Sequence, residues 1–106
     1  MMSKSSITID QVKLPAIHPG TILAGELAEI GISVSAFSRA LDVPQSRVAE
    51  IVSGKRSITA DTALRLAAYF GTSARFWLNL QAAYDLAVTQ AADGAHIANV
   101  VRPRAA

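Results

Sequence analysis

The chain has 106 residues and a formal net charge of +2, with 51% of its residues apolar. That length suits one domain with a single core. The absence of cysteine excludes disulfides, thiolate metal sites and a thiol nucleophile.

Residues 1–16 begin polar and then alternate, with Ile7 and Ile9 followed by Val12 and Leu14. Pro15 and Pro19 oppose a helix through this stretch. It reads as a mobile arm, a short extended segment, or a piece that orders on a partner. Pro19 suits a first helical turn, so the first helix is predicted from about Pro19–Thr21 to Ile30, with Leu23, Leu27 and Ile30 as its buried stripe. Glu26 and Glu29 are expected to face water, and Gly31 to end the helix.

The stretch 33–54, SVSAFSRALDVPQSRVAEIVSG, organises the rest. Ser33 is an N-cap for a second helix beginning at Val34. In that helix Phe37 and Leu41 share a face. Asp42-Val43-Pro44 leaves room only for a tight turn. A third helix then puts Val48, Ile51 and Val52 on one side, and Gly54 closes it in the left-handed conformation. Two short helices joined this closely make a helix-turn-helix. After the basic loop Lys55-Arg56-Ser57-Ile58, Thr59 caps a fourth helix, Ala60 to Phe70, carrying Ala63, Leu66, Ala67 and Phe70. Ser73 caps a fifth, from Ala74 to about Ala91, with Phe76, Leu80, Tyr84 and Ala87 as one stripe. Asp93-Gly94 is expected to break it, leaving 93–106 as a basic tail. The resulting division is an arm at 1–16, a helical domain at 17–92 and a tail at 93–106.

The third helix carries the functional signal. Gln45, Ser46, Arg47 and Glu50 lie off its apolar stripe, three of them in the first turn. A helix that reads DNA needs polar forks there, braced from behind. Gln bonds an adenine edge twice, Arg takes guanine or phosphate, Ser serves either, and Glu accepts from cytosine. The same pattern also fits an ordinary helical hairpin with a solvated face. The charge distribution favours the first reading. Between Arg39 and Arg75 stand Arg39, Arg47, Lys55, Arg56, Arg65 and Arg75 against Asp42, Glu50 and Asp61. Lys55 and Arg56 suit phosphate contacts, which position a protein without reading sequence. Arg65 is expected to face solvent.

This stretch resembles the helix-turn-helix of phage-repressor-like (XRE-type) regulators, and within that group the chain looks like the HigA-type antitoxins. The resemblance is carried by IHPGTIL (17–23), VPQSRVAEIVSGKRSITADTALRLAAYFGTS (43–73) and RFWLNLQAAYDL (75–86). Ser38 and Asp42 depart from the wider pattern, where Ala and Gly are usual. Ser is small enough to pack there, and Asp visits the left-handed region better than most residues. The resemblance implies an all-α, five-helix phage-repressor-like fold and a DNA-binding antitoxin. Such a protein binds a palindromic operator as a homodimer, represses its own operon and neutralises a RelE-like, mRNA-cleaving toxin. The DNA-binding set would be Gln45, Ser46, Arg47, Glu50, Lys55, Arg56 and Arg39. The wide apolar surface of the fifth helix suggests a dimer contact through Trp77, Gln81, Tyr84 and Asp85. Asn79 and Gln81 follow the family motif and are expected to bond backbone.

Two other readings stay open: a stand-alone regulator without a toxin, and an interaction module that kept the fold but lost DNA binding. Enzyme chemistry finds no support. His18 and His96 lie near opposite ends, and no metal-ligand spacing, phosphate loop or nucleophile elbow appears. No cofactor is expected. With no apolar run of signal-peptide or membrane-span length, the expected location is the cytoplasm, with no membrane partner.

Overall fold

The computed structural model describes residues 16–105. All but Ala16 of the expected N-terminal arm lies outside the described residues. Five helices follow one another: α1 (Pro19–Ile30), α2 (Val34–Leu41), α3 (Gln45–Val52), α4 (Ala60–Phe70) and α5 (Ala74–Val100). The chain is all-α among the described residues, as expected.

Local chemistry sets most boundaries. Ser33, Thr59 and Ser73 each accept a hydrogen bond from the backbone N–H three residues on, capping α2, α4 and α5. Asp42 ends α2 in the left-handed region at φ 58°, where Gly would be the usual choice. Ser38 is buried, and its hydroxyl donates to the Val34 carbonyl at 2.7 Å, so it packs without an unpaired polar atom.

Leu23 and Leu27 of α1, Phe37 and Leu41 of α2, and Val48 and Ile51 of α3 form the core with Ile58, Ala63, Leu66 and Trp77. Two expected core positions differ. Ile30, in the last turn of α1, is half-exposed, and so is Phe76. The inward stripe of α5 is centred on Trp77 and Gln81; of the expected stripe Leu80 and Tyr84 are half-buried beside it, while Ala87 is exposed.

Gln81 explains this choice of face. Its Oε1 accepts a hydrogen bond from the Ile58 N–H at 2.8 Å, and its Nε2 donates to Asp85 Oδ1 at 2.9 Å. A buried amide so paired costs little, whereas the unpaired Ile58 N–H would cost a full desolvation penalty. The expectation that Gln81 bonds backbone matches this geometry. The expectation that Trp77 and Gln81 line a dimer contact does not, because both are buried inside their own chain, 2% and 6% exposed. Tyr84 is half-buried and packs edge-on against His18, with ring centroids 4.9 Å apart.

The expected break at Asp93-Gly94 is absent, and α5 runs 27 residues to Val100. Gly weakens a helix interior by only about 1 kcal/mol relative to Ala. Ala91, Ala92, Ala95 and Ala98 surround it, and the Gln90 side chain occupies the space beside Gly94. Beyond Tyr84 every described residue except Gly94 is exposed. The outer half of α5 therefore stands clear of the core, and the described residues span 53 × 31 × 23 Å.

Candidate nucleic-acid interface

The two ends of α3 have opposite surroundings. At its C-terminal end the backbone is wedged against α1. A Cβ on Gly20 would lie 1.7 Å from the Ile51 carbonyl oxygen, so only glycine permits this approach. His18 fixes the neighbouring turn: its Nδ1 accepts from the Gly20 N–H at 2.9 Å and caps α1, with Pro19 at the first helical position. The His-Pro-Gly sequence thus seats α3. Composition alone hid this role, although a glycine in a first helical turn, with no left-handed φ to satisfy, is a sign that space is the constraint.

At the N-terminal end α3 is open. Pro44 is the N-cap and offers no side-chain acceptor; its carbonyl takes the Arg47 N–H at 3.0 Å, which leaves the Gln45 and Ser46 N–H groups for solvent or an anion. Gln45 and Ser46 are exposed there, while Val48 and Ile51 are each 1% exposed behind them. Among the described residues neither polar side chain has a hydrogen-bond partner. This is the arrangement the sequence suggested for a reading turn.

Arg47 is placed differently from a freely extended reader. Its Nη1 contacts Asp61 Oδ2 at 2.5 Å. The same carboxylate oxygen accepts from Arg65 Nε at 2.9 Å. Arg65 does not simply face solvent: its Nη1 also donates to the Leu41 and Asp42 carbonyls at 2.8 and 3.3 Å, tying α4 to the turn between α2 and α3. The hydrogen bond from Arg65, with that from Arg47 beside it, holds the Asp61 carboxyl below its ordinary pKa. Its pairing is therefore intact at neutral pH and is lost only as pH falls through that lowered value.

Glu50 is paired with Arg56, whose Nε donates to its Oε1 at 2.8 Å. The acid beside the open turn is thereby paired within the chain. Exposed pairs of this kind contribute about 0–1 kcal/mol, so Arg56 can exchange Glu50 for phosphate at little cost. Lys55 is exposed with no side-chain partner among the described residues. Arg39 lies in the last turn of α2 and bonds Ser35 at 2.8 Å. Among the described residues no group of three His, Cys, Asp or Glu is placed to hold a metal.

Comparison with known proteins places this geometry in a family. Residues 26–77 match the helix-turn-helix family. Virulence-associated protein I of Dichelobacter nodosus is 52% identical over 86 residues, covering 80% of each chain. An addiction module antidote protein of the HigA family from Coxiella burnetii is 48% identical, with a TM-score of 0.83 over 86% of this chain and 100% of that one. The chain belongs to the HigA-type antitoxin family. A further member, the Pseudomonas aeruginosa antitoxin HigA, was solved with the higBA promoter. It is also 48% identical, with a TM-score of 0.82 over 86% of this chain and all of that one. The family match at residues 26–77 spans the helix-turn-helix described above.

Proposed function

We propose that this chain is a DNA-binding antitoxin. It binds a palindromic operator as a homodimer, represses its own operon and neutralises a RelE-like, mRNA-cleaving toxin in the cytoplasm. The observation that carries the reading is the open first turn of α3, where Gln45 and Ser46 stand exposed on a helix seated by Val48, Ile51 and Gly20. Such a turn enters a major groove while Lys55, Arg56 and Arg39 meet phosphates. The promoter complex of the Pseudomonas relative supports the same reading.

One head spans only a few base pairs. Two heads about 34 Å apart reach successive major grooves of a palindrome. With Trp77 and Gln81 committed to the core, the pairing surface is reassigned to the outer half of α5, where Leu86, Val88, Ile97 and Val100 are exposed. Apolar surface of this kind on a small domain marks an association site.

Co-purification from the native operon, followed by a gel shift with the operon's own promoter, tests the whole reading. A small basic ribonuclease in the eluate and a promoter shift that survives excess random DNA are expected. A chain that elutes alone and shifts both DNAs equally would refute it.

A further inference from the structure

Asp61 is an acid beside a surface read as DNA-binding, which by charge alone is a liability. Its contacts show what it does there. It stands in the first turn of α4, where the helix dipole favours a carboxylate. One of its oxygens takes both Arg47 Nη1 and Arg65 Nε. Arg65 in turn grips the carbonyls of Leu41 and Asp42. The carboxylate is thus anchored to the α2–α3 turn as well as to α4, and it reaches fourteen residues back along the chain to Arg47.

A guanidinium carries five N–H donors in a rigid fork. Asp61 engages Arg47 through Nη1 alone, and among the described residues Nε and Nη2 have no partner. Those remaining donors are what a base edge or a phosphate requires. The Arg47 side chain is also 29% exposed, directly after Gln45 and Ser46.

We propose that Asp61 is a positioning residue for sequence reading, acting through Arg47. It holds the arginine in one orientation next to the open turn, so that discrimination between DNA sequences depends on an acid that does not touch DNA. The inference rests on the DNA-reading function proposed above.

The sign of one substitution separates this role from a purely electrostatic one. Removing an acid near phosphates strengthens binding to every DNA. Removing an orienting acid lowers the ratio of promoter to scrambled-duplex affinity. Wild type, Asp61→Asn, Arg47→Ala and the double variant are titrated at fixed salt against the operon's own promoter and a scrambled duplex. Asp61→Asn is expected to lower the ratio about tenfold, with Arg47→Ala adding little in that background, as coupled neighbours do. Asp61→Glu keeps the charge but moves the carboxylate, and an intermediate ratio is expected in an undisturbed fold, checked by thermal melting.

An unchanged ratio in Asp61→Asn with both affinities raised would overturn the proposal. So would independent, additive effects of the two substitutions, or an Asp61→Glu ratio equal to wild type should Asp61→Asn fail to fold. A wild-type chain without any promoter preference would instead remove the DNA-reading function itself, and this role with it.

Discussion

The C-terminal end of α3 is braced by neighbouring elements, and its N-terminal end is bare. Gly20 meets the Ile51 carbonyl, the Lys55 N–H bonds the Glu50 carbonyl at 2.8 Å, and Ile58 is tied to Gln81 on α5. Eight residues earlier, Pro44 provides no side-chain cap, and the side chains of Gln45 and Ser46 bond nothing within the described chain. A short helix has little stability of its own, so its rigidity must come from tertiary contacts. Concentrating those contacts at one end frees the other for a partner. Further along, Arg47 at the end of the first turn and Glu50 in the second are already engaged with Asp61 and Arg56.

Damage to the closed end should have the largest effect. Gly20→Ala forces the α1 and α3 backbones apart and is expected to cost about 3 kcal/mol or more, as severe overpacking does. The check is a lowered midpoint in denaturant unfolding, and an unchanged midpoint would show that α1 does not seat α3 tightly. Next comes Gln81→Ala, which leaves the buried Ile58 N–H unpaired. About 2 kcal/mol is expected, read by the same unfolding curves, with no change if water replaces the amide. At the open end, Lys55→Ala should leave stability untouched. It is expected to weaken binding to cognate and random DNA alike by under about 1 kcal/mol, and to reduce the salt slope by about one. A slope equal to wild type would rule out its phosphate contact.

Much of this contrast is legible in the residues themselves, because it is local. The caps at Ser33, Thr59 and Ser73, the left-handed Asp42, and the spacing of Phe37 with Leu41 and of Val48 with Ile51 all act within one or two turns. The exposure of Gln45 and Ser46 follows from the same periodicity. What escapes is long-range or disguised. Gln81 is polar, so the stripe it shares with Trp77 looks broken, and Phe76 is wrongly turned inward; only the distant Ile58 N–H makes that glutamine an interior residue. Arg65 reads as a solvated base because its carbonyl partners lie more than twenty residues earlier. Asp-Gly suggests a turn, but in a run of alanines it does not stop α5.

Gln45 is where the open end is tested most directly. Wild type and Gln45→Ala are titrated, at one salt concentration, against the operon's promoter and against duplexes changed one base pair at a time. The expected result is that the substitution removes about 1–3 kcal/mol of discrimination at a single base pair while binding to unrelated DNA stays as it was. An equal loss on every duplex, or no loss on any, would contradict a reading turn at the start of α3.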